Sequence, residues 1–185
     1  MQNSWDRQPV VHDDEAGRVA LNPATHQLRK NFIFNKNWLG TTNSGYSVDY
    51  DDGSSQYNAT SNFLVYGAFK VRDGINRAHS HNIIYGKPAD YQCDGFNSTS
   101  MEYNTIIGVN GGAVQYGCVG KAFGAKGSYN SVNQNWNKYY GSGLSACGMS
   151  LAQLQAAGYD TESTLSPNIS VPEIMIMAKT MLFTP

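Results

Sequence analysis

Residues 48–108 read VDYDDGSSQYNATSNFLVYGAFKVRDGINRAHSHNIIYGKPADYQCDGFNSTSMEYNTIIG. Asp-Gly occurs three times in this stretch, at Asp52-Gly53, Asp73-Gly74 and Asp94-Gly95, and the interval is 21 residues both times. A second mark keeps nearly the same period. It is an Asn followed by a short apolar run and a Gly: Asn62 to Gly67, Asn82 to Gly86 and Asn104 to Gly108, with the Asn residues 20 and 22 apart. An earlier copy, Asn31-Phe-Ile-Phe-Asn35, lies 31 residues before Asn62, and a degraded later copy is expected within Tyr129 to Trp136.

A period near 21 residues, built of short strands and turns, marks a solenoid, since one such unit cannot close a core and must stack on the next. Each unit holds at least two short strands and no amphipathic helix of useful length, so the expectation is an all-β parallel β-helix with coils of roughly 21 residues. In that arrangement strands pair with those one turn above and below, and equivalent residues form columns. Asp-Gly is then expected at one corner, with Gly supplying positive φ. Each Asn is expected to point inward, bonding backbone groups of its own turn and the Asn of the next coil.

Composition agrees. The chain has 185 residues, 41% hydrophobic and only 15% charged, with 19 Gly and 12 Tyr, a balance that suits strands and turns. The formal net charge of −1 supplies no field for nucleic acid, and no apolar run is long enough for a membrane span. Cys93, Cys118 and Cys147 allow at most one internal disulfide; Cys93 and Cys118 lie close to one coil apart and are candidates for it. Three Asn-x-Ser/Thr acceptors, at Asn58, Asn97 and Asn168, favour a secreted glycoprotein.

The C-terminal part changes character. Ser150-Leu-Ala-Gln153 and Ser170-Val-Pro-Glu173 are capping boxes, each opening a helix, the first expected to stop at Gly158. The organisation expected is therefore coils over residues 1–148 and a helical cap over 149–185, covering an edge of the solenoid.

The runs Asn3 to Pro9 (NSWDRQP), Asp49 to Asn58 (DYDDGSSQYN), Lys70-Val-Arg72-Asp-Gly and Leu154 to Ser163 (LQAAGYDTES) resemble the C-terminal part of right-handed parallel β-helix proteins of the pectate lyase and polygalacturonase kind. The resemblance spans roughly Asn3 to Leu182. It implies a right-handed coil, further coils and a signal peptide upstream of Met1, and a polysaccharide as partner. The catalytic patterns of those lyases and hydrolases do not match residue for residue, so the resemblance assigns no catalytic residue.

Strand alternation supplies a candidate site. With Val48, Tyr50, Phe69 and Val71 inward, Asp49, Asp51, Lys70 and Arg72 share the outer face, Asp49 beside Lys70 and Asp51 beside Arg72 on adjacent coils. These four are the candidate catalytic residues, with Asp52, Asp73, His79 and Tyr91 as candidate substrate contacts. Two carboxylates on one face suit general acid and base work in glycoside hydrolysis. A lysine beside them suits proton abstraction from a uronate. The same charges also read as a stabilising ladder between strands. His79 and His81, two apart, would share a face on a strand but lack the further ligands of a zinc site, so no cofactor or metal is expected. The expected function is cleavage of a polysaccharide by an extracellular monomer of glycoside hydrolase or polysaccharide lyase type. The alternative is a non-catalytic carbohydrate-binding or adhesive β-helix surface protein.

Overall fold

The computed structural model describes residues 26–35, 46–50, 55–71, 74–91, 97–118 and 132–184. The chain runs β1 (His26–Arg29), β2 (Phe32–Phe34) and β3 (Tyr46–Tyr50), then β4 (Tyr57–Thr60), β5 (Phe63–Val65) and β6 (Ala68–Val71). It continues with β7 (Gly74–Ser80), β8 (Ile83–Tyr85) and β9 (Ala89–Tyr91), then β10 (Asn97–Glu102), β11 (Thr105–Ile107) and β12 (Val114–Cys118). The last part holds β13 (Val132–Asn135), β14 (Lys138–Tyr140), β15 (Leu144–Ala146), α1 (Leu151–Ala156), β16 (Thr164–Ser166) and α2 (Val171–Phe183).

Up to β15 every third strand pairs, in parallel, and β16 then joins β14. Sheet A is β1-β4-β7-β10-β13, sheet B is β2-β5-β8-β11-β14-β16 and sheet C is β3-β6-β9-β12-β15. Three parallel sheets visited in rotation make an all-β stack compatible with a parallel β-helix. The alternation of the strands drives it: the middle residues of sheet B, Leu64, Ile84, Ile106 and Tyr139, are fully buried and follow one another in register. From sheet C, Tyr50, Val71 and Tyr91 form a second buried column. These side chains meet in one interior core.

The turn from sheet A to sheet B carries the Asn residues. The backbone N–H of Asn62 donates to Oδ1 of Asn82 at 2.9 Å, and its side-chain amide donates to the same oxygen at 3.0 Å. Asn31 with Asn62, Asn82 with Asn104, and Asn104 with Asn137 repeat this pairing. Each amide also reaches a carbonyl. At Asn31 it lies in the same turn, as expected, on Arg29 at 2.9 Å. At the other four rungs the structure corrects the expectation and the acceptor lies one coil back: Asn62 bonds Leu28, Asn82 bonds Ala59, Asn104 bonds His79 and Asn137 bonds Met101, at 2.8–3.0 Å.

Asn137 is the fifth rung, 33 residues after Asn104. It lies just beyond the stretch in which the later copy was expected. The column ends at Ser163, whose Oγ accepts from the Asn137 N–H at 2.9 Å and donates to Asp160 Oδ1 at 2.5 Å.

Before each Asn stands a residue in the left-handed region: Lys30 (φ 53°), Ser61 (56°), His81 (57°), Tyr103 (57°) and Trp136 (53°). None is Gly, so each carries a conformational cost of roughly 1–3 kcal/mol. The bonds of the neighbouring Asn offset it. Of the residues of the expected Asp-Gly corners, Asp52, Gly53, Asp73, Asp94 and Gly95 lie outside the described residues, and Gly74 opens β7.

Both helices start at the expected capping boxes, Ser150 with Gln153 and Ser170 with Glu173. Their placement differs from one shared cap. Leu151 and Leu154 of α1 enter the interior core, so α1 closes its end. Helix α2 instead lies across the outer face of sheet B, where Ile174 and Ala178 pack on Phe63, Ile83 and Ile107. Thirteen residues rise about 20 Å, close to the span of five strands at about 4.8 Å each. The helix accordingly reaches back to the first described coil, where Lys30 Nζ donates to the carbonyl of Thr184 at 2.6 Å. The sequence pointed to an edge because an apolar helix gives no sign of which apolar surface it will meet.

Candidate functional site

On sheet C the expected register holds. Asp49 pairs with Lys70 between β3 and β6, and both side chains leave the outer face while Val48, Tyr50, Phe69 and Val71 are buried. Lys70 Nζ lies 3.2 Å from Asp49 Oδ1, an ion pair off the line of a good hydrogen bond. The Asp49 side chain is 32% exposed and that of Lys70 13%. Asp51, Asp52, Arg72 and Asp73 lie outside the described residues.

The column continues upward with a residue the sequence reading passed over. Asp90 stands in register with Lys70, and Gly117 in register with Asp90. Lys87 Nζ donates to Asp90 Oδ2 at 2.8 Å and the Tyr46 hydroxyl to the same oxygen at 3.2 Å. Its other oxygen, Oδ1, is buried without a hydrogen bond. It lies where a side chain on Gly117 would begin, so only glycine fits there. Lys70 also stands over the Tyr46 ring, 5.7 Å from its centroid. Asp49, Lys70 and Asp90 are spaced 21 and 20 in the sequence, so the same period that exposed the Asn column could have exposed this one. Alignment on Asp-Gly drew attention to Asp73 and away from Asp90.

The column is graded in burial. Asp90 keeps 5% of its side chain exposed and Lys87 24%, against 32% for Asp49. Solvent therefore reaches Asp49 most readily. An acid and a base held side by side on a rigid sheet can position a hydroxyl or carry a proton.

His79 and Tyr91 do not join this face; the structure corrects both expectations. The side chains of both point into the coil and are fully buried. His79 lies between Tyr50 and Phe69, with ring centroids 5.3 and 4.3 Å away. Neither of its ring nitrogens has a hydrogen bond of good geometry. Burial, with the nearby Arg77 guanidinium as a second cause, holds the imidazole well below its ordinary range, at about pH 3. Arg77 is itself buried; its Nε donates to Thr99 Oγ1 at 3.1 Å and its guanidinium lies 5.7 Å from the Tyr50 ring centroid. Burial also pushes the Tyr50 phenol upward.

Tyr91 donates to Gln134 Oε1 at 2.9 Å and stacks on Tyr116 at 5.8 Å. Gln134 reaches Tyr139, which donates to Asp160, so a polar thread crosses the upper core. The pairing of the two histidines fails for a backbone reason. Strand β7 ends at Ser80, and the left-handed bend at His81 turns that ring outward onto Tyr103 while His79 stays inside.

Among the described residues no group of three or more His, Cys, Asp or Glu gathers as a metal site, and no helix is long and apolar enough to cross a membrane. Cys147 is disulfide-bonded. With three cysteines in the chain, a bond from Cys147 to either of the others excludes the expected pairing of Cys93 with Cys118. Against family models, curated proteins and solved structures, the chain matches nothing.

Proposed function

We propose that the chain is an extracellular, carbohydrate-active protein of right-handed parallel β-helix type that cleaves a polysaccharide on the outer face of sheet C. The observation that supports this reading is the Asp49–Lys70 pair, 3.2 Å apart with Asp49 one-third open to solvent. Asp49 would take or give the proton at a glycosidic oxygen or an attacking water, and Lys70 would hold it in place. On a uronate, Lys70 would instead neutralise the sugar carboxylate or receive the C5 proton as the C4–oxygen bond breaks. The disulfide at Cys147 and the exposed acceptor Asn168 support secretion.

A second reading keeps the carbohydrate and drops the chemistry. It is favoured by the fact that Lys70 stands between two aspartates, one of them buried against Lys87, as a structural charge ladder would have it. The deciding experiment is a screen of the secreted full-length protein on neutral and acidic polysaccharides, following reducing ends together with ultraviolet absorbance. Reducing ends that disappear in Asp49→Asn support hydrolysis. Reducing ends with new absorbance, lost in Lys70→Met, support elimination. Neither signal on any glycan that the protein binds would leave the non-catalytic reading standing.

A further inference from the structure

The corner between sheets A and B faces away from sheet C, and its outer column is Lys30, Ser61, His81, Tyr103 and Trp136, one residue before each Asn. Identical backbone geometry sets these side chains one above another. His81 stacks on Tyr103 at 5.3 Å and 12°, and Tyr103 on Trp136 at 5.0 Å and 4°. Tyr103 and Trp136 remain 48% and 42% exposed. A contiguous stack of three rings at strained left-handed positions, turned to solvent, serves no core.

The stack ends below His81, where the next rung is Ser61. Its hydroxymethyl group cannot fill the place that a ring occupies in the rungs above. Two rungs separate Lys30 from His81, about 10 Å at the strand spacing, twice the separation seen between the stacked rings. Lys30 is drawn aside by its bond to Thr184. Beside this place, on the outer face of sheet A, Thr60 and Ser80 stand in register with their hydroxyl oxygens 3.5 Å apart.

We infer that this corner binds a sugar ring of a glycan, stacked on the free face of His81 above Ser61, with the hydroxyls of Ser61, Thr60 and Ser80 at its edge. The pairing of a flat ring with a few convergent hydroxyls fits a sugar, which has an apolar C–H face and a polar rim. The site is separate from Asp49 and Lys70, and it stands whether or not sheet C is catalytic.

The test uses the full-length protein on a glycan array, followed by titration of the best oligosaccharide into the wild type, His81→Ala and Ser61→Trp. Ser61→Trp extends the ring stack into the proposed site, and the backbone already holds Trp at the equivalent position of Trp136. The expected result is a roughly tenfold weaker affinity for both His81→Ala and Ser61→Trp, with unchanged unfolding midpoints. Unchanged affinity in both corner variants, or absence of any bound glycan, overturns the inference. Turnover in the polysaccharide screen is scored separately, so the two readings fail independently.

Discussion

Asn82 gives both its backbone N–H and its side-chain amide to one atom, Oδ1 of Asn104, at 2.9 and 3.0 Å. That oxygen has two lone pairs and both are used. Asn104 in turn spends its own amide on His79 and Asn137. Asn104→Ala would strand buried groups on both sides, each costing about 1–3 kcal/mol. The expected loss of folding stability is about 3–5 kcal/mol, read by urea denaturation. Asn31→Ala, at a half-exposed rung, should cost about 1 kcal/mol or less. Equal costs for the two would show that the column is no cooperative support.

Acid should weaken the fold through His79. Its imidazole binds protons near pH 6.5 when unfolded and only near pH 3 when folded. Between those values the unfolded chain holds the extra proton, so stability is complete above pH 6.5 and declines as pH falls towards 3. The unfolding temperature should drop from pH 7 to pH 4. His79→Phe, which keeps a ring between Tyr50 and Phe69 but cannot be protonated, should narrow that drop. An identical pH dependence in the variant would locate the acid sensitivity elsewhere.

Removing α2 should expose an apolar wall. Phe63, Ile83 and Ile107 lie beneath Ile174 and Ala178. A chain ending at Asn168 should bind a hydrophobic dye and self-associate at concentrations where the full chain stays dispersed. Ser170→Ala is a milder version: loss of the cap should cost about 1 kcal/mol. Unaltered dye binding after truncation would mean that α2 does not cover sheet B in solution.

Gly117→Ala should be more damaging than its single methyl suggests. The new Cβ would fall on the Asp90 carboxylate, which Lys87 and Tyr46 hold from the other side. An expected cost of about 1–3 kcal/mol follows from such overpacking. Asp90→Ala in the same chain should recover part of it by vacating the space, measured as a double-mutant cycle.

Much of the architecture could be read in advance because a few residues do one job on every coil. Asn62, Asn82 and Asn104 kept their spacing, and the alternation around Asp49 and Lys70 predicted which side chains face out. The reading failed where a backbone torsion broke the alternation, as at His81, whose bend separates two histidines that a straight strand would have put together. It failed again where a longer connection hid the period, since Asn137 follows Asn104 by 33 residues. The aromatic corner went unread for a related reason: His81, Tyr103 and Trp136 have little in common as residue types until the Asn beside each gives them a shared position.

The column is directional at its side-chain oxygens. Each Asn oxygen receives from the coil before it, while the backbone N–H of each Asn donates to the coil after it, and Ser163 ends the series by handing its proton sideways to Asp160. A duplicated segment running from one Asn to the next would therefore enter the molecule as a complete module with matching ends, whereas a segment of any other length would put a foreign residue at the joint. Insertions and deletions that keep the column intact are therefore expected in whole coils, each bringing its own Asn.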